Sequence, residues 1–353
     1  MEEDSMWGSH LEEQVLNLNS ENEREWLAAF LEKQGLALDK DIEYSMVVTD
    51  QGTIAATGSF SNRVLKCIAV DEEYKSMGLA SRVITHLVNE EYKRGRPHLF
   101  VFTKPENESI FSELGMYTIG EVPSRVVLME NRRDGIVKYL DKLSEASGRI
   151  IPSAAVVVNC NPFTLGHKHL LEYAASRCQR LHVFVVWEDR SSFPAEIRYR
   201  LVKEGVSHLS NVIVHEGRDY IISDATFPSY FIKKYDDMVE IHARLDITIF
   251  SQYIAKKLDI KKRYVGEEPF DAVTSTYNRV MGKMLPTAGI ELEVVPRLTS
   301  GGVAISASRV REAIRGGCIH EVRELVPENT YRFLLSSEAE EIIRRIKSSS
   351  GRH

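Results

Sequence analysis

The stretch Val156-Val157-Val158-Asn159-Cys160-Asn161-Pro162-Phe163-Thr164-Leu165-Gly166-His167-Lys168-His169 decides how the chain is read. A β-branched apolar run meets Asn-Pro, then a glycine, then an apolar helical pattern at Leu170, Leu171, Tyr173 and Ala174. The pattern predicts strand, tight loop and helix, an order that aims the free amides of a helix start at an anion. Thr164 and His167 fall where loop becomes helix, and each brings a hydrogen-bond donor. Gly166 between them lets the backbone come close to a bulky ligand. Far downstream, Gly301-Gly302 leads into Ile305-Ser306-Ala307-Ser308-Arg309-Val310-Arg311, continued by Glu312, Ala313 and Ile314. This is a second helix start, with Ser306 or Ser308 as its N-cap.

The first stretch resembles the Thr/His-x-Gly-His signature of the nucleotidyltransferase superfamily, and the second is similar to that superfamily's Ile-Ser-Ser-Thr/Ser-x-x-Arg. The resemblance implies that the loop grips the phosphates of ATP. Thr164 and His167 would be the catalytic donors, with Asn161, Pro162, Phe163, Gly166 and Lys168 around the nucleotide. Ser306, Ser308 and Arg311 would hold the departing pyrophosphate end. Arg198, on a helix opened by Phe193-Pro194, either reaches this site or is a solvent-exposed helical arginine. Lys168 and His169 are either ligands or a solvated first turn. Mg²⁺ is expected through phosphates and water, with no dedicated metal ligands on the protein.

Composition narrows the class. The 353 residues allow two domains, and 43% hydrophobic with 27% charged residues is ordinary for a soluble globular protein. A net charge of -6 and the lack of a Lys/Arg cluster offer no field for nucleic acid. The four cysteines Cys67, Cys160, Cys178 and Cys318 are scattered without metal-like spacing, as reduced thiols would be in a cytoplasmic protein. Cys160, beside the nucleotide loop, is either buried or a reactive thiol. No apolar run approaches membrane-spanning length, so no membrane partner is expected.

In chain order, residues 1–19 carry little pattern, and residues 20–36 place Trp26, Leu27, Phe30 and Leu31 on one helical face ended by Gly35. Strands are predicted over Tyr44–Val48, Thr53–Ser59 and Val64–Val70. Val70-Asp71-Glu72-Glu73-Tyr74-Lys75-Ser76-Met77-Gly78-Leu79-Ala80 then enters a helix carrying Val83, Ile84, Leu87 and Val88. This resembles motif A of the GNAT acetyltransferases, with Lys75, Gly78 and Ala80 at the pattern positions. The likeness spans roughly residues 40–130 and implies a cradle for the pyrophosphate of a coenzyme A-like arm. Where those enzymes often carry a tyrosine acid, this chain has Phe111, which cannot donate a proton. Fold and coenzyme-like ligand are therefore expected, and amine acetylation is not.

The resulting division is a GNAT-like domain over 1–130, a connecting helix over 131–150, an ATP-binding domain over 151–347 and a disordered tail over 348–353. In the second domain, strands are read at Leu181–Trp187, Asn211–His215, Ile247–Phe250, Arg263–Val265 and Leu292–Val295. Strands alternating with helices predict a Rossmann-like, mostly parallel α/β sheet with ligands at the carboxyl ends of its strands.

A module shaped for a coenzyme A-like thiol ahead of an adenylating module suggests an acid-thiol ligase. The whole chain, including Tyr220–Phe231 and Tyr264–Pro269, resembles the citrate lyase ligase family. That resemblance implies ATP-driven adenylation of acetate, then acetylation of the thiol on the dephospho-coenzyme A-derived prosthetic group of the citrate lyase acyl carrier subunit. Two other readings stay open. One is an adenylyltransferase acting on a phosphopantetheine-like phosphate acceptor, with a regulatory GNAT-like domain. The other is a non-catalytic coenzyme A sensor or protein acetyltransferase.

Overall fold

A computed structural model describes residues 11–187, 191–221, 235–268 and 272–348. Contacts divide the chain into two units: Met1–Gly135 with Phe227–Ile241, and Ile136–Thr226 with His242–His353.

The first unit is built on β1 (Leu11–Val15), α1 (Glu21–Lys33), β2 (Tyr44–Asp50), β3 (Thr53–Ser61), β4 (Val64–Val70), α2 (Leu79–Lys93), β5 (Phe100–Thr103), α3 (Glu108–Glu113), β6 (Tyr117–Val122) and β7 (Val126–Glu130). Its seven strands form one sheet in the order β1-β2-β3-β4-β5-β7-β6. Neighbours are antiparallel except β4 and β5, whose parallel pairing covers only Val64 with Phe100 and Leu65 with Val101. Both strands run on past those pairs without bonding each other, so they part toward their carboxyl ends. The apolar stripe of α2 (Leu79, Val83, Ile84, Leu87) packs on Met46, Val48, Leu65 and Val101. Phe111 fills the same core, a packing role that accounts for its apolar ring. This is the GNAT-like α/β arrangement that the motif A resemblance implies. β1 lies in the stretch where little pattern was visible. It is an edge strand whose place is fixed by pairing with β2, from Leu11 with Asp50 to Val15 with Met46, and not by its own residues.

The second unit contains α4 (Gly135–Ser147), β8 (Ser153–Val158), α5 (Leu165–Ala175), β9 (Leu181–Val185), α6 (Ala195–Gly205), β10 (Val212–Glu216), the part of α7 (Tyr235–Ile249) from His242 onward, a π-helical turn (Phe250–Ile254) running into α8 (Ala255–Lys257), β11 (Ile260–Gly266), α9 (Ala272–Thr287), β12 (Glu291–Val295), a hairpin of β13 (Thr299–Ser300) and β14 (Val303–Ala304), α10 (Ala307–Arg315), α11 (Glu328–Leu334) and α12 (Glu340–Ser348). Among them α4 is tied to this unit: the Tyr139 hydroxyl donates to the Glu216 carbonyl at 3.2 Å, and Asp141 pairs with Lys257 at 2.7 Å.

Five strands form an all-parallel sheet in the order β10-β9-β8-β11-β12. The chain fills one side of β8 first, then crosses to the other, which puts the topological switch between β8 and β11. Val156, Val158, Val183, Val185 and Tyr264 share a core with α5, α6, α10, α11 and α12. The alternate residues Ala155, His182, Phe184 and Arg263 face the other way. Ile247–Phe250, expected as a strand, is the end of α7 and the start of the π turn. Ile247, Ile249 and Phe250 are wholly buried, and burial on all sides overrides the strand preference of a β-branched run.

The segment Tyr220–Phe231 lies mostly outside the described residues, as do Pro269 and the tail beyond Ser348.

Candidate functional site

The carboxyl end of β8 carries the site. Val158 leads into the loop Asn159–Phe163, which contains a cis Asn161-Pro162 bond, and Thr164 caps α5. The Thr164 hydroxyl accepts from the His167 amide at 3.3 Å, while Nδ1 of His167 accepts from the Thr164 amide at 3.1 Å. This reciprocal box ties the imidazole back onto its own helix start. Because Nδ1 accepts, the ring proton sits on Nε2, and Nε2–H remains as a donor. Enclosure of the ring pushes its pKa down to about 4, with the Arg297 guanidinium as the lesser cause. At neutral pH the site therefore holds a neutral imidazole that donates a hydrogen bond.

Gly166 is what lets the two signatures meet. A Cβ there would come within 2.9 Å of the Ile305 carbonyl, the residue just before the second helix start. Ser306, and not Ser308, is the N-cap of α10, accepting from the Arg309 amide at 3.3 Å. The amides of Ala307 and Ser308, in the first turn, have no intrahelical acceptor and can face an anion. Arg311 bridges the signatures directly: it is 7% exposed and donates to the Asn161 carbonyl and to Ser308 Oγ. Burial, with Arg315 nearby, pushes its pKa down. Thus Asn161, Thr164, Gly166, His167, Ser306, Ser308 and Arg311 gather at one place. Pro162 and Phe163 are buried beneath it.

Four of the residues singled out from the sequence do not stand open toward a ligand in this way. Arg198 neither projects from the surface nor stands free toward a ligand: it is 0% exposed. Its Nη1 donates to the Asn159 carbonyl (2.9 Å), Asn159 Oδ1 (2.6 Å) and the Val186 carbonyl (2.7 Å), and Nε to the Phe193 carbonyl (2.9 Å). It fixes the loop to the end of β9 and the start of α6. Lys168 leans toward Glu172 at 3.7 Å on the half-exposed face of α5, and His169 lies beside Tyr173. Cys160 is 1% exposed, and burial pushes its thiol pKa upward, which makes it inert and not a reactive thiol.

The signatures gave no hint of Arg297. It follows β12, donates to the Glu267 carbonyl at 2.6 Å and pairs with the Glu268 carboxylate, so the loops after β11 and β12 are joined beside His167. Its position just past a carboxyl-terminal strand end, in Val294-Val295-Pro296-Arg297, is the one sequence signal that could have found it. Among the described residues, no group of three or more His, Cys, Asp or Glu could hold a metal ion, and no helix is long and apolar enough to cross a membrane.

In the first unit, the motif A loop delivers Gly78 at φ +72° as the N-cap of α2, with no side-chain cap. Lys75 is 58% exposed and pairs with Glu72, and Ala80 is half-buried in the first turn. Tyr117 is 44% exposed.

Residues 153–334 match the family described as the citrate lyase ligase C-terminal domain. The chain is 39% identical over 324 residues to the citrate (pro-3S)-lyase ligase of Klebsiella pneumoniae, covering 90% of this chain and 94% of that protein. It is 38% identical over 313 residues to the enzyme of the same name from Escherichia coli strain K12, covering 87% and 89%. Among solved structures, an acyl-CoA N-acyltransferase from Pseudomonas aeruginosa aligns with 35% of this chain and 99% of its own, at a TM-score of 0.30 and 10% identity. With relatives of this identity spanning both signatures and the motif A loop, the chain belongs to the citrate lyase ligase family.

Proposed function

We propose that this chain activates acetate with ATP and passes the acetyl group to the prosthetic-group thiol of the citrate lyase acyl carrier subunit. An acetate oxygen attacks the α-phosphorus, the bond to the bridging oxygen breaks, and pyrophosphate leaves with acetyl-AMP retained. The thiol then attacks the acetyl carbonyl, its proton passes to a base or to water, and AMP departs as the thioester forms. The single observation that carries the reading is the neutral His167, held by Thr164 with Nε2–H free, beside a second helix start whose cap is Ser306.

Charge stabilisation here needs positioned donors and no covalent nucleophile. His167 would donate to the α/β phosphate oxygens, and its low pKa keeps the acceptor Nδ1 and the donor Nε2 in fixed roles. The first-turn amides of α10, with Arg311 and Ser308, would meet the departing pyrophosphate; Arg297, paired with Glu268, lies within electrostatic reach of His167. Arg198 would act as a positioning residue, since its guanidinium is taken up by loop carbonyls. Gly166, where a Cβ would strike the Ile305 carbonyl, lets the two helix starts close up around one phosphate chain. Mg²⁺ would be held chiefly by phosphates and water and would neutralise charge on the pyrophosphate.

The thiol arm would lie on the first unit. Glycine-started α2 offers its first amides to the arm's pyrophosphate, with Lys75, Gly78 and Ala80 around it, and the parting of β4 from β5 gives an extended chain a place to run. Exchange of labelled pyrophosphate into ATP tests the first half: it should depend on acetate and need no carrier. Exchange that ignores acetate would reject the acid-activating step.

A further inference from the structure

The signature residues explain how ATP is held but leave the acid without a receptor. Arg263 sits in the middle of β11, in one row with Ala155 of β8 and Leu292 of β12, on the sheet face opposite α5 and α10. It is 4% exposed, and its Nε and Nη1 are buried with no hydrogen-bond partner. Nor does it form an ion pair with any described residue. Its guanidinium lies over the Phe250 ring at 4.5 Å, with the buried Asp246 and Tyr277 contributing to its field. The Tyr277 hydroxyl in turn meets the ring nitrogens of the buried His242 at 3.0–3.1 Å.

An arginine in the centre of a parallel sheet is costly to bury, and more so when its donors are unmet. Orphaned donors of this kind point to a missing partner. The partner must be an acceptor, and the buried positive charge favours an anionic one. Asp246 adds a negative field near the guanidinium, which favours a small monoanion over a phosphate dianion or a triphosphate. Phe250 closes one face of the guanidinium with a flat apolar ring, the surface a short alkyl acid would lie against.

Position argues the same way. β11 adjoins β8 at the switch point, where ligands enter such sheets. The helix starts that would hold the departing pyrophosphate pack on one face of the sheet, and Arg263 projects from the other.

We infer that Arg263, with Phe250 beneath it and Tyr277 and His242 beside it, forms the receptor for the small carboxylate substrate. This rests on the acid-activating reading above and names the part of the site that would select the acid.

The experiment compares wild type, Arg263→Met and Arg263→Lys in acetate-dependent pyrophosphate exchange. It also measures the Tm of each in sodium acetate against equal sodium chloride. The expected result for both variants is a KM for acetate raised about ten- to a hundredfold, the loss of a charged hydrogen bond, with the KM for ATP unmoved. Acetate should raise the Tm of the wild type and not that of Arg263→Met. A merely structural arginine would change Tm equally in both salts and leave the acetate KM alone, and that result overturns the inference. Should Arg263→Met not fold, Arg263→Lys decides, because an ammonium cannot reproduce the fork of a guanidinium. An unchanged acetate KM together with an unchanged acetate-induced Tm shift would then overturn it. Wild-type exchange that does not need acetate would instead sink the acid-activating reading itself, a failure recognisable without any variant.

Discussion

Two helix starts in this chain face the same task, presenting amides to phosphate, and they are built in opposite ways. At α5 the loop is held from behind by buried polar groups: Arg198 on the carbonyls of Asn159 and Val186, Arg311 on that of Asn161, and Asn161 Oδ1 accepting from the Phe193 amide at 3.0 Å. At α2 the loop is largely exposed, its cap is a glycine without a side-chain bond, and its side-chain ties lie upstream of the cap: the surface pair Lys75–Glu72, the Tyr74 hydroxyl donating to Asp50 at 2.9 Å, and Asp71 accepting from Gln34 at 3.2 Å. Surface pairs of this sort contribute little, about 0–1 kcal/mol. The contrast fits the chemistry proposed for each. A loop that stabilises charge during bond breaking must be fixed in advance, whereas a loop that docks and releases a flexible arm needs access more than rigidity.

The largest expected effect comes from removing the clamp. Arg198→Ala leaves four hydrogen bonds unmade in a dry interior, including those of three carbonyls. We expect a loss of about 3–5 kcal/mol in unfolding free energy, measured by urea titration. A loss under about 1 kcal/mol would mean the loop holds itself.

Next is His167→Ala, which should leave the fold intact and cut acetate-dependent exchange by a factor of about 10²–10³, or roughly 3–4 kcal/mol. Wild-type exchange in that variant would remove His167 from the phosphate site. Ser306→Ala combined with Arg311→Ala should raise the KM for ATP; unchanged ATP kinetics would detach the second signature from the nucleotide.

The second unit also carries a pH liability that the first does not share to the same degree. His182 Nδ1 and His215 Nε2 lie 2.9 Å apart in the interior, and burial pushes their pKa values down to about 3 and about 4. The sign follows directly. In the unfolded chain both histidines take up protons below about pH 6.5, while the folded state refuses them, so stability is full above that pH and falls as the pH drops toward 4. Each contributes about 1.4 kcal/mol per pH unit within that window. His182→Phe with His215→Leu should flatten the acid side of a Tm-against-pH curve; an unaltered slope would place the acid sensitivity elsewhere.

These differences also govern what could be read from the chain. The strand, loop and helix around Val156–His169 were legible because every part is local: β-branched run, Asn-Pro, cap, glycine, helical stripe. The same holds for Val70–Ala80. Thr164 and His167 could be placed at the helix start as donors, while the reciprocal box that joins them, with Nδ1 accepting, came only from the structure. The role of Arg198 could not be read locally, since its acceptors at Asn159 and Val186 are distant in sequence and its burial depends on the whole sheet. Arg297 was marked only by its place just past a strand end: its meaning comes from Glu267 and Glu268, which only the β11–β12 pairing brings near. β1 and Ile247–Phe250 show the two ways local preference fails, one an edge strand recruited by a neighbour, the other a strand-like run captured by a buried helix.

The smallest effect is the one that tests the comparison most directly. Gly78 stands at φ +72°, and a Cβ added there meets nothing within 4 Å. The open space lies where the first amides of α2 emerge, so a side chain would occupy the approach of the arm's pyrophosphate without displacing protein atoms. Backbone strain alone would complicate a β-branched replacement, because the left-handed region costs such a residue roughly 1–2 kcal/mol. Asparagine tolerates that region, and Gly78→Asn therefore separates blocking from strain. We expect Gly78→Asn to keep wild-type pyrophosphate exchange while thioester formation on the carrier falls about tenfold, or 1.4 kcal/mol, chiefly through KM for the carrier. Gly78→Val should behave alike with a lower Tm. If Gly78→Asn instead acetylates the carrier at the wild-type rate, the α2 start does not bind the arm, and its openness is only that of a surface loop. If exchange and transfer fall together, the two helix starts do not divide the labour, and the contrast between a clamped and an open loop would have to be explained by folding alone.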